Sequence, residues 1–187
     1  MNHSASRCRA GRRLLALAFF LPLAARADRP PLGAPPPADA VPRLEFAFEE
    51  RVTLDPGVML GDTALGRRQY IPITGGTVAG PKLRGTVVPG GWDFQLTYAA
   101  SGCTQLSADY FLKAEDGTLI HVFNEGLACS EKEPLFFRPK LEAPKGPHDW
   151  LTRSTFIATL ELEMAANPPP DAPPRLEAVR IRFFRVK

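Results

Sequence analysis

Only three cysteines and three histidines occur among the 187 residues, and neither type is clustered. No cysteine or carboxylate stands at metal-ligand spacing from His121 or His148, so the pattern names no metal site. A serine in a Gly-x-Ser-x-Gly elbow is missing, as is a glycine-rich run ending in the lysine and hydroxyl of a phosphate loop. These gaps remove the usual signatures of serine hydrolases and nucleotide-binding enzymes, and no cofactor is implied. Long amphipathic stretches of helical period are also lacking, as is any repeat of solenoid length. No apolar run approaches the roughly twenty residues that a membrane-crossing helix needs.

The longest apolar run, Leu14 to Leu23, follows Arg7, Arg9, Arg12 and Arg13 and precedes Ala25-Arg26-Ala27. A basic region, a short apolar region and small residues in that order read as a secretory leader, with cleavage expected after Ala27. Arg12-Arg13 fits a twin-arginine address poorly. A periplasmic or secreted location is therefore expected. Removing residues 1–27 takes away five arginines and no acids, leaving 18 basic against 20 acidic residues, or a net charge near −2 rather than +3. That balance argues against a nucleic-acid partner.

The same cleavage removes Cys8 and leaves Cys103 and Cys129. They flank Asp116-Gly117, a turn dipeptide between two strand-like runs, almost symmetrically, so a hairpin folded there brings them opposite each other. In an oxidising compartment a disulfide is expected.

Residues 28–42 are rich in Pro and Ala and read as a semi-rigid tether, with a domain over 43–187. Its first strand runs from Leu44 to Leu54, where Leu44, Phe46, Phe48, Val52 and Leu54 alternate with polar residues and Glu50 alone breaks the apolar face. Gly75-Gly76 and Gly90-Gly91 read as two turns around a β-rich run, with Gly80-Pro81 marking a bulge or an edge between them. Trp92, Phe94, Leu96 and Tyr98 then share one face of a strand, and Asp93, Gln95 and Thr97 the other. Residues 130–150 carry four prolines and read as a long loop across the domain. Leu176 to Val186 closes the chain as a strand. The fold class expected is all-β, a single-domain antiparallel up-and-down barrel in preference to a sandwich.

Ile71 to Gln95, with Asp116-Gly117, His121 to Gly126, Phe137-Arg138 and Asp149-Trp150-Leu151, resembles the bacterial domain-of-unknown-function 3237 family. The resemblance extends over about residues 42–187 and implies a compact antiparallel β-barrel without implying an activity. Two positions depart from the family pattern: Pro139 directly follows Arg138, and Thr152 follows Trp150-Leu151.

Polar residues within these motifs are the candidate site: Asp93, Asn124, Arg138, Glu142 and Trp150. Asp93 would point inward if Trp92 and Phe94 face out; otherwise it caps backbone amides or faces solvent. Asn124 lies near Asp109 across the expected hairpin. Arg138 is suited to clamp a carboxylate or to pair with Glu142. The partner expected is a small, partly apolar molecule in the barrel mouth, with 130–150 as a lid. The alternatives are a cofactor-independent isomerase, lyase or cyclase using Asp93 or Glu142 as acid or base, and a structural protein with a filled barrel.

Overall fold

The computed structural model describes residues 31–130, 132–166 and 175–187. The expected leader, with Cys8, and the first residues of the tether lie outside the described residues, while Asp39–Lys187 forms one compact unit. Alternating side chains and glycine- or proline-marked turns produce ten strands. They are β1 (Leu44–Leu54), β2 (Val58–Thr63), β3 (Gly66–Ala79), β4 (Gly85–Val87), β5 (Trp92–Tyr98), β6 (Thr104–Ala114), β7 (Leu119–Ala128), β8 (Phe136–Glu142), β9 (Phe156–Met164) and β10 (Leu176–Val186). Every pairing is antiparallel, and β10 returns to β1 to close the sheet.

The ten strands make eight staves. β1 and β2 both pair with β3, β1 along its C-terminal half and β2 along its N-terminal half, so the two continue one another around Asp55-Pro56-Gly57. β4 and β5 divide the opposite edge of β3 in the same way. The barrel is thus closed and up-and-down, as the hairpin order implied, with β8 and β9 joined by two residue pairs.

Two turn expectations need correction. Gly75-Gly76 is no turn but lies inside the 14-residue β3. Gly76 sits there because β1 passes so close that a Cβ would collide with the Arg51 carbonyl oxygen, and its φ of 142° suits glycine alone. The reversal comes at residues 80–84 instead. Gly90-Gly91 is a break within the β4–β5 stave, held by reciprocal backbone bonds between Ile73 and both glycines.

β1 shifts register between Phe46 and Phe48, which buries Ala47 and turns Leu44 and Phe46 outward. Beyond that bulge Phe48, Glu50 and Val52 face the core. Phe48 stacks on Phe183 with ring centroids 4.5 Å apart. Leu83, Leu112, Ile120, Leu141, Leu151 and Phe156 complete a packed half of the interior. Outside, Glu49, Arg51, Glu161, Glu163, Arg180 and Arg182 form an ion-pair ladder across β1, β10 and β9, which explains the alternation of charge with apolar residues there.

The expected loop at 130–150 contains β8. The part after β8, with the turns that follow, spans residues 143–155 and carries the fully buried Leu151 into the packed half. His148 bonds Asp116 of the β6–β7 turn at 3.0 Å. This segment plugs the closed end, so residues 143–150 are not a lid on the mouth, whereas the part of the expected loop before β8 brings Leu135 to the cavity wall. The disulfide joins Cys103 and Cys129 at the opposite end, where Thr104 pairs with Ala128.

Candidate functional site

The open half of the barrel holds a cavity of about 200 Å³. Its walls are mostly aliphatic, with Val52, Leu54, Ile71, Ile73, Leu106, Leu160 and Ile181 from five staves, and Leu162 and Leu176 at the mouth. Four polar side chains interrupt this lining: Asp93, Gln95, Tyr110 and Asn124. The polar face of β5 is therefore the inner one. Its aromatic face lies outside, Trp92 being 46% and Phe94 39% exposed, and these rings pack on each other and on Tyr70.

Register sets the arrangement. Ile71 pairs with Asp93, Asp93 with Ala108, Ala108 with Asn124 and Asn124 with Pro139. Asp93 and Asn124 thus occupy one row across the sheet, two strands or about 10 Å apart along the wall. The small Ala108 between them leaves the space open. One row nearer the mouth, Gly126 makes room for the ring of Phe137, whose nearest atom is 2.8 Å from where a Cβ would stand.

Asp93 is held rigidly. Its Oδ1 accepts the Ser107 backbone N–H at 3.0 Å, and its Oδ2 accepts the Gln95 amide at 2.7 Å. Gln95 in turn accepts from Gln69 at 2.7 Å. Burial raises the Asp93 pKa above its ordinary value despite the two donors that favour its charged form. The capping role and the inward position are thus both realised.

Asn124 is only 1% exposed, and neither its amide nitrogen nor its oxygen has a hydrogen-bond partner in the protein. Leaving a buried amide unpaired costs about 1–3 kcal/mol per group. A ligand that accepts from the nitrogen and donates to the oxygen would offset that cost.

The floor of the cavity is a contact that no sequence pattern announces. Tyr110 on β6 reaches across the interior, and its hydroxyl lies 2.7 Å from Oε2 of Glu50 on β1. Glu50 is fully buried, its Oε1 has no partner, and desolvation pushes its carboxyl up to about 8. It is accordingly protonated at neutral pH. Desolvation and the neighbouring Glu50 and Asp93 hold the Tyr110 phenol well above its usual range. The one hint in the sequence is the single break that Glu50 makes in an apolar strand face.

Three candidates fall outside this group. Arg138 and Glu142 alternate with the buried Phe137, Pro139 and Leu141, and so face outward on β8. Proline at 139 fills an inward position, which leaves its neighbour Arg138 on the outer face. Glu142 lines a shallow surface groove with His121. Trp150 packs on Phe156 at the closed end, beneath the Arg185 guanidinium at 5.6 Å. The expected Asn124–Asp109 neighbourhood also fails, because Asp109 pairs with Phe123, faces out and bonds His121 at 2.7 Å. Among the described residues, no three His, Cys, Asp or Glu side chains are grouped to hold a metal ion.

Known proteins share this architecture. A UPF0311 protein of Clostridium acetobutylicum is 39% identical over 130 residues, covering 60% of this chain and 82% of its own. The crystal structure of a protein of unknown function from the same organism superposes with a TM-score of 0.65 at 26% identity, over 79% of this chain and all of that one. The hydroalkoxylation enzyme phnH of Penicillium herquei is 31% identical over 118 residues, covering 63% of this chain and 74% of the enzyme. The family model described as "Protein of unknown function (DUF3237)" matches residues 42–186, which span every strand of the barrel, and the chain belongs to that family.

Proposed function

We propose that the barrel encloses a small, largely apolar molecule and moves protons on it without a cofactor, Asp93 accepting the proton and Asn124 orienting the substrate. One observation carries this reading: a buried carboxylate of raised pKa lies on the same row as an unpartnered amide, in a mostly aliphatic cavity. A filled structural barrel needs neither group, since an aliphatic pair would pack there without desolvation cost. A general base gains from a pKa moved toward the working pH, and burial moves Asp93 in that direction.

Hydroalkoxylation, the activity in the name of the Penicillium herquei relative, adds O–H across a carbon–carbon double bond. One proton leaves oxygen, one arrives at carbon, and no electrons are exchanged with an outside partner. An apolar cavity with a fixed base suits such an addition, or a related isomerisation of an unsaturated alcohol or phenol. The second reading, a binding protein without chemistry, is favoured by the same aliphatic walls. A periplasmic or secreted location is part of the proposal, supported by the leader-like sequence at residues 1–27 and by the disulfide.

The test uses 5-nitrobenzisoxazole, a small aromatic compound that opens to a coloured phenolate when a base removes its one acidic C–H proton. The protein is expected to accelerate opening, and Asp93→Asn to lower the rate at least tenfold while still binding the compound. Binding with equal rates in both proteins would overturn the catalytic reading in favour of the binding one, and failure to bind would overturn both.

A further inference from the structure

We propose that Tyr110 and Glu50 form a proton-donating relay, in which Tyr110 delivers a proton to the molecule held in the cavity and Glu50 replaces it. This rests on the acid–base reading above and supplies its missing half. Adding O–H across a double bond requires a donor at carbon as well as an acceptor at oxygen. Both Asp93 oxygens already accept hydrogen bonds, from Ser107 and Gln95, which suits Asp93 to the acceptor role. The donor has to be another group.

Tyr110 stands two residues beyond Ala108 on β6, on the same inward face, and lines the cavity. Glu50 does not line it. Glu50 pairs in the sheet with Val78 and Ile181 of the neighbouring strands, and its Oε2 is 2.7 Å from the phenolic oxygen of Tyr110. Among the described residues, Asp93, Tyr110 and Glu50 are the ionisable side chains that line the cavity or are buried behind it, and no cation faces them. Packing alone does not account for the pair. A leucine in place of Glu50 and a phenylalanine in place of Tyr110 would fill similar space without burying an unpartnered carboxyl oxygen.

The step balances. The phenolic O–H breaks as a C–H bond forms on the substrate. As the phenolic hydroxyl turns to the substrate from Glu50 Oε2, to which it donates at rest, the carboxyl proton of Glu50 moves to the phenolic oxygen. The substrate hydroxyl proton moves to Asp93 as the new C–O bond forms. Glu50 ends charged and Asp93 neutral, so the total charge is unchanged. Water entering the emptied cavity carries the proton from Asp93 back toward Glu50. In this scheme Tyr110 is a catalytic residue beside Asp93, and Glu50 a positioning and supplying one.

Infrared spectroscopy on protein with ¹³C-carboxyl glutamate tests this without knowledge of the natural substrate. A protonated-glutamate carbonyl band is expected at neutral pH and should vanish in Glu50→Gln. Phenol, which fits the cavity and carries a hydroxyl, is expected to shift that band, whereas toluene, of similar shape, leaves it in place. In Tyr110→Phe, bound phenol should no longer move it. The phenol and toluene comparison needs only the wild-type protein, so a poorly folding variant does not remove the test. Phenol that binds without moving the band would overturn the relay and leave the Asp93 reading standing. Absence of phenol binding would overturn both.

Discussion

Replacing Glu50 with glutamine should change how stability depends on pH more than any other single substitution in this barrel. The carboxyl is fully buried, and its pKa rises from 4.5 to about 8 on folding. Between those values the native chain holds a proton that the unfolded chain has lost. A raised carboxyl therefore contributes its full relative stability below pH 4.5 and loses it as pH climbs through 8, at up to roughly 1.4 kcal/mol per pH unit. The whole interval corresponds to about 5 kcal/mol, a large part of the stability of a domain this size. The substituted glutamine keeps an oxygen for the Tyr110 hydroxyl but has no proton to lose. Urea unfolding at half-unit steps from about pH 4.5 to 9, read by tryptophan fluorescence, should give wild-type and Glu50→Gln curves that diverge steadily with pH, the variant becoming relatively more stable. Parallel curves would refute the buried, protonated state of Glu50 and with it the floor of the cavity as described.

Three further outcomes follow from the same geometry. Ala108→Leu should fill the gap between Asp93 and Asn124, abolishing binding of phenol by calorimetry while shifting stability by no more than about 2 kcal/mol, because the side chain enters existing space. Replacing both Cys103 and Cys129 with serine should cost about 3 kcal/mol in thermal or urea unfolding, since the bridge closes a separation of 26 residues; a reducing agent should do the same to the wild-type protein and nothing to the variant. Gly76→Ala should destabilise by about 3 kcal/mol or more in the same assays, through its backbone conformation and the collision with β1. A hairpin turn at that position would tolerate alanine far better.

Much of this barrel is local and is therefore legible in the sequence. The period-two alternation, the Asp116-Gly117 turn and the cysteines placed symmetrically about it all act over a few residues or one hairpin, and each leads to the observed strand or bridge. The two Gly-Gly pairs look like turns because glycine serves equally for a turn and for a close approach of backbones; β1 running beside Gly76 is a long-range fact. Proline-rich composition likewise hides β8, whose Pro139 occupies an inward position that the surrounding strands make acceptable.

What the sequence by itself determined was most of the strands and, outside the β1 bulge, the two faces of each. Which face turned inward was decided by closure. On β5 the aromatic face looks like core, yet the interior receives Asp93 and Gln95, because Gln69 and the Ser107 amide complete their hydrogen bonds and Tyr70 shields the outward rings. The Asp93, Ala108 and Asn124 row exists only through strand register, and the Glu50 to Tyr110 bond joins residues sixty apart across the barrel. Alternation is a property of neighbouring residues, whereas a cavity and its convergent polar groups are properties of the enclosed volume, which forms only when β10 meets β1.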